Sequence, residues 1–440
     1  HDRREMVDRA RVLERDNVLA SATLTCAIEN IISSGIFPQA TTDDPEWNAQ
    51  AEALFAAQAA KADVRGLMSF GEMQALVYRS CLRDGDVGTI LIDAGAERGK
   101  LQIVESDQIA SKVGVIATQT EVDGIILDET TQRPTAYLVV ANDPNDRMTS
   151  SRRNLQTRKT IPADSMVFLA RRSRASQTRG LPIWAQTFWL FDQLDGYIEA
   201  TTIAARMAAC VGLVITQNSM TAAPSSLESV TGTNGNTYKQ WSMEPGMIKR
   251  LQPGDSVTQI APQQPVSMFD PFTDKIHRYI GAPLGLPLEL VTLDFSKTNY
   301  SSARGALLQA YRTFQQHQSF FIEHWCKAIW RFWVRLWVED GLLEDRPDRN
   351  AHEWIPPGWA WIDPTKEIQA TMMAVEAGLD TLTDALRAQG RDFDTLVKRR
   401  QREREALEAA EIPDIRTTMT RDPMQPAATE DVTIKEADGE

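Results

Sequence analysis

The longest regular pattern of apolar positions begins after a break at Gly180 and Pro182. Trp184, Phe188, Phe191, Leu194 and Ile198 recur at steps of three and four, which marks one face of a helix. Asp192, Asp195 and Glu199 recur at similar steps and form an acidic stripe on another face. Proline fits the first turn of a helix, so the spacing predicts a helix over 181–210, about 45 Å long at 1.5 Å per residue. That is a strut, longer than the helices of ordinary domains. A strand-like run, Gly212 to Thr216, follows it.

The stretch before this helix mixes both periods. Residues 1–35 read as helical, with Asn17 and Ser21 interrupting the pattern and Gly35 ending it; the arginines Arg9, Arg11 and Arg15 read as a solvated face. Further helices are predicted over 48–62 and 70–84. Asp84-Gly85-Asp86-Val87-Gly88 reads as a turn into a strand at 89–92, and 101–105 is a second strand. Residues 124–128 and 134–140 read as a hairpin, 145–160 as a basic loop, and 165–169 as a last strand. The fold class is therefore α+β and mostly helical.

Beyond the strut the character changes. Residues 217–240 are rich in Ser, Thr, Asn and Gly and read as a mobile loop, and 243–259 reads as two short strands around Pro253-Gly254-Asp255. A helix over 271–279 stops at Gly281-Ala282-Pro283, and 285–302 reads as loop, with Ser301 or Ser302 capping the next helix, 303–338. In that helix Phe321, Trp325, Ile329, Phe332 and Leu336 share one face, which Trp330, Trp333 and Trp337 widen; the stripe is core or subunit interface. Glu323, Lys327, Arg331, Arg335 and Glu339 form a separate charged stripe. Pro- and Trp-rich 345–364 is a packed linker, helices follow at 365–377, 381–388 and 393–410, and 413–440 reads as disordered.

Composition narrows the function classes. The 440 residues exceed one ordinary core, so two or more domains are expected. The net charge of −13 makes the chain a poor candidate for gripping nucleic acid, while leaving open a protein that DNA slides past without sticking. Cys26, Cys81, Cys210 and Cys326 form no paired motif and read as buried free thiols of a reducing compartment. No signal peptide is visible, and the start at His1 leaves the native N-terminus open. The most apolar stretch, 320–338, carries too many charges to span a membrane. A phosphate loop, a G-x-S-x-G elbow and histidines at metal spacing are all missing. Asp84 and Asp86 could be imagined as ligands of a nuclease metal, but no further acidic cluster accompanies them. No catalytic, cofactor or metal site is expected.

Several local patterns occur together: Arg9-Ala10-Arg11-Val12-Leu13-Glu14-Arg15-Asp16-Asn17, Ile161-Pro162-Ala163, Ser176-Gln177-Thr178-Arg179-Gly180, Leu251-Gln252-Pro253-Gly254-Asp255, Tyr300-Ser301-Ser302-Ala303-Arg304 and Glu376-Ala377-Gly378-Leu379. Their order and spacing, over roughly 1–410, resemble the portal proteins of tailed phages, lambda type. Ala170-Arg171-Arg172-Ser173 departs from the family pattern, which puts one local contact in doubt.

The resemblance implies a homo-oligomeric ring, usually of twelve subunits, at one vertex of the virion head and assembled in the host cytoplasm. Double-stranded DNA passes through its centre, terminase and head-completion or connector proteins dock to it, the major capsid protein surrounds it, and no membrane is involved. It also implies a wing (1–180 and 303–345), a stem of two helices (181–210 and 265–283), a clip between them (211–264), a tunnel loop (284–302), a crown (346–411) and a tail (412–440). Asp192, Asp195 and Glu199 would face the channel or a neighbouring stem helix. In the tunnel loop, Asp294, Lys297, Thr298 and Asn299 would approach DNA, with Lys297 either touching phosphates or merely pairing with Asp294. The competing readings are a phage DNA-processing enzyme and another head or tail structural protein.

Overall fold

The computed structural model describes residues 2–111, 120–140, 158–209, 212–217, 228–231, 237–240, 255–260, 269–359 and 363–410. The basic stretch 141–157, Cys210, the turn at 253–254 and the C-terminal 411–440 lie outside the described residues. So do the side chains of 207–268.

The N-terminal body begins with two helices, α1 (Asp2–Asp16) and α2 (Val18–Ile31), separated at Asn17, whose side chain accepts from the Ala20 amide as an N-cap. α3 (Pro45–Ala59) follows, and α4 (Phe70–Asp84) opens on a capping box between Ser69 and Glu72. Strands β2 (Asp86–Leu91), β3 (Leu101–Val104) and β8 (Met166–Ala170) form a sheet in the order β3-β2-β8. A second sheet, in the order β4-β5-β6-β7, comprises β4 (Glu121–Val122), β5 (Ile125–Leu127), β6 (Pro134–Val140) and β7 (Arg158–Pro162), so the expected hairpin is present. A small apolar cluster, including Ile109, Tyr137 and Ile161, lies at this second sheet.

The principal core is larger and is built on the aromatic helix. It runs as α8 (Tyr300–Phe321), a π-turn over Ile322–Cys326, and α9 (Lys327–Glu339), and it is capped by Asn299, not by a serine. Phe321, Trp325, Trp330, Trp333 and Trp337 are all buried within the chain, so the stripe is core and not a surface left for another subunit. Trp325 stacks on Phe321 at 5.1 Å and on Phe70 at 5.5 Å, while its indole N–H donates to Thr89. Trp333 donates to the Gly99 carbonyl. The charged stripe forms the pairs Glu323–Lys327 and Arg335–Glu339 on the opposite side. Strand β13 (His352–Ile355) pairs with β1 (Phe37–Ala40), which ties the start of the expected crown to the body. Three C-terminal helices follow, α10 (Pro364–Glu376), α11 (Leu382–Arg387) and α12 (Phe393–Ala409).

The strut differs from its prediction. α5 spans Phe188–Ala209, about 33 Å at 1.5 Å per residue, and residues 183–187 form turns. The Ile183 amide donates to the Leu82 carbonyl and Trp184 is fully buried, so the body holds this segment before the helix can begin. Periodicity continued through Trp184 because the turns bury the same side. Past α5, β9 (Gly212–Gln217) pairs antiparallel with β12 (Asp255–Ile260), and β10 (Glu228–Thr231) with β11 (Thr237–Gln240). Part of the stretch expected as a loop is thus a hairpin. Gly212 lies opposite Ile260, so the pairing returns the chain to α6 (Phe269–Gly281) alongside α5.

Candidate functional site

Two helices side by side need a firm root, and this root comes from residues far apart in sequence. Asp84 ends α4, Gly85 turns the chain at φ +93°, and Asp86 starts β2. Both carboxylates are completely buried. Asp86 receives two bonds from Arg179, at 2.8 Å each, one from the Gly180 amide at 2.9 Å and one from Ser106 at 2.6 Å. Arg179 spends its remaining N–H groups on the carbonyls of Ser106, Ile109 and Asp123. Burial opposes the charge on Asp86, yet Arg179 outweighs it and holds the carboxyl below its usual range. Burial likewise opposes the charge on Arg179, and Asp86 more than compensates.

The neighbouring carboxylate is satisfied in the same way. Asp84 receives Arg11 at 2.7 Å and Arg83 at 2.7 Å, while Arg79 and Arg83 both grip Glu14. Arg11 is therefore part of the joint and not of a solvated face; Arg15, which pairs with Asp16, is exposed as expected. Gly180 lacks a side chain for reasons of space: a Cβ there would lie 1.8 Å from the Gly85 carbonyl oxygen. Asp84 and Asp86 have no coordination left to offer a metal. Among the described residues no group of three or more His, Cys, Asp or Glu could hold one.

From this root α5 and α6 run together, with Tyr197 stacked on Phe269 at 5.6 Å and against Phe272 at 4.5 Å. The acidic stripe divides. Asp192 pairs with Arg9 of α1, which also lies over the Phe188 ring, and Asp195 accepts from Asn17. Glu199 is exposed and has no ion-pair partner among the described residues.

The segment expected as one long loop is shorter. A 3-10 turn at Ala282–Leu284 and a short helix α7 (Leu288–Thr292) occupy its first half, which leaves 293–299. Leu293 holds a left-handed conformation at φ +55°. Asp294 accepts from the Ser296 amide at 2.8 Å, Thr298 donates to the largely buried Glu289 at 2.8 Å, and Asn299 caps α8. Lys297 pairs with Asp270 at 3.3 Å and Asp274 at 3.6 Å on α6, not with Asp294. The hydrogen bond that Lys297 donates to Asp270, and the charge of that carboxylate, raise the lysine's affinity for its proton. A cleft of about 560 Å³ opens beside this loop, lined in part by Arg278, Glu289, Lys297 and Asn299.

Sequence reasoning missed the Asp86–Arg179 pair, although both residues stand in patterns it had singled out. No local signal joins positions that far apart. Cys26, Cys81 and Cys326 are buried and unpaired, as expected. Among the described residues no helix is long and apolar enough to cross a membrane.

Residues 1–318 match the family model described as phage portal protein, lambda family. The chain is 26% identical over 341 residues to the probable portal protein of Halomonas phage phiHAP-1, covering 76% of this chain and 65% of that one. It is 24% identical over 192 residues to portal protein B of Escherichia phage lambda and 25% over 190 residues to the portal protein of Escherichia phage N15, in each case 40% of this chain and 36% of the relative. The matches thus span less than two thirds of these relatives' own length. Among solved structures, a chain of the virion of the native gene transfer agent particle superposes with TM-score 0.53 at 12% identity over 88% of this chain and 93% of that one. A chain from the neck of the empty particle, computed with C6 symmetry, does so with TM-score 0.51 at 13% identity over 88% and 94%. These likenesses show a shared α+β, mostly helical fold.

Proposed function

The chain belongs to the lambda family of phage portal proteins, and we propose that it is the structural subunit of a ring through which double-stranded DNA enters and leaves a virion head. The observation that carries this reading is the helix pair α5–α6. It is rooted in a saturated, buried joint and ends in a small β-containing module. Such a part transmits force and positions a wall; it performs no chemistry. An acidic chain releases few counterions from DNA, so the duplex slides instead of sticking.

Within the ring, α5 and α6 form the stem, 211–264 the clip that meets terminase and then connector proteins, and 346–411 the crown. The body forms the wing, against the major capsid protein. Loop 293–299 approaches the duplex with Asp294, Lys297, Thr298 and Asn299. Lys297 supplies transient phosphate contacts when it leaves Asp270 and Asp274, because an ammonium on a flexible stem can exchange partners. Native mass measurement tests the reading. Twelve copies of the 49.2 kDa chain give a closed particle of about 590 kDa. A chain that stays at its own mass under assembly conditions would overturn it.

A further inference from the structure

α5 carries a face that the described residues leave bare. Trp189, Gln193, Gly196, Ala200 and Ile203 recur at alternating steps of four and three, and all five are exposed, Trp189 at 61%. That spacing is the seam of a helix packed on another helix. Glycine inside a helix weakens it relative to alanine. Yet no described atom beyond the helix's own backbone lies within 4 Å of the point where a Gly196 Cβ would stand. Nothing among the described residues accounts for that glycine. Beside the seam stands Glu199, without a cationic partner among the described residues.

α6 offers the complement. Its exposed face presents Lys275, Arg278 and Tyr279, the last 51% exposed, together with the outer side of Phe272, whose other side packs on Tyr197 of the same chain. The Lys275 ammonium lies over the Tyr279 ring at 5.2 Å, and neither Lys275 nor Arg278 has an ion-pair partner among the described residues. The buried face of α6 holds Thr273, Ile276 and Ile280. One helix thus displays a small-residue seam edged by acid, and the other displays aromatic rings edged by base.

We propose that the α6 face Phe272–Lys275–Arg278–Tyr279 of one copy packs on the α5 seam Trp189–Gly196–Ile203 of the next, with Glu199 meeting Lys275 or Arg278. The two surfaces differ, so the contact is head-to-tail and propagates around a closed ring instead of ending in a two-fold dimer. Gly196 is the point of closest approach, where a neighbouring aromatic ring reaches the α5 backbone. The inference rests on the ring reading and specifies its interface.

Charge exchange tests it, because both surfaces are exposed and their substitution spares the core. Glu199→Lys alone, and Lys275→Glu with Arg278→Glu alone, each present like charges across every contact. Native mass spectrometry at low salt is expected to show at least a tenfold loss of ring for each. An equal mixture of the two variants restores rings to within about twofold of the original chain. Alternating copies then set a lysine on α5 against glutamates on α6 at every second contact and leave the contacts between unaltered. Gly196→Gln removes rings while leaving the circular dichroism and melting temperature of the single chain unchanged or higher. If either charge variant assembles as well as the original chain, or the mixture gives no rescue, the interface is overturned while the original chain's rings keep the portal reading. If the original chain itself forms no ring, that reading falls and the interface with it.

Discussion

The root of the helix pair and its outer faces are built on opposite terms. At the root, Asp84, Asp86 and Arg179 are out of solvent, and every charge there is met by an opposite charge or a backbone dipole. On the helix pair most charges are exposed, some have no ion-pair partner among the described residues, and large apolar side chains such as Trp189 and Tyr279 face outward. A buried charge must be matched within the chain or the chain does not fold, whereas an exposed one can wait for another molecule. The first region serves the subunit and the second serves whatever lies beside it.

The sharpest way to break the contrast is to unmatch the root. Asp86→Ala leaves the Arg179 guanidinium buried without its carboxylate, and such losses cost about 3–5 kcal/mol. Urea unfolding should show that loss, whereas Glu199→Ala leaves the same curve unmoved. Gly180→Ala forces a methyl group into the Gly85 backbone and should cost about 2 kcal/mol or more, read by the same titration. An unchanged midpoint in either variant would mean that the joint is looser than its geometry.

Acid titration probes the body in a different place. His317 is buried, shares a 2.8 Å hydrogen bond with Tyr78, and is pushed down to about 3 by burial and then by Arg171. An unfolded histidine binds its proton near pH 6.5, so between that value and about 3 the unfolded chain holds the extra proton. Stability is therefore full above about pH 6.5 and falls as the pH drops through this window, by at most about 1.4 kcal/mol per unit from this group. His317→Gln should flatten that slope; an unaltered slope would remove His317 as its source.

The smallest effect belongs to the loop. Lys297→Ala should leave the melting temperature and ring assembly untouched, because its pairs with Asp270 and Asp274 are exposed. It should alter DNA retention in a salt-dependent way. Retention equal to that of the original chain at every salt concentration would separate Lys297 from DNA.

What repeats locally was legible along the chain. The helix over 70–84 agrees with its prediction at both ends, because the capping box and the terminal Gly85 lie within the chain's own next few residues. The aromatic stripe, the hairpin at 125–140 and the Asn17 break were legible for the same reason. That the tryptophans form core came from the packing, since a period of three to four specifies a face without saying what covers it. The packing also decided that α5 starts at Phe188, because the hydrogen bond between Ile183 and Leu82 joins segments on either side of the β-sheets. Of the two readings of Lys297, phosphate contact or a pair with Asp294, the structure replaces the second with pairs to two aspartates one helix away. The Asp86–Arg179 pair, which anchors the helix pair to the body, spans 93 positions. Hydrophobic period and capping act over a few residues; a buried charge is matched by whatever the fold brings within 3 Å, and that distance is set in space and not along the chain.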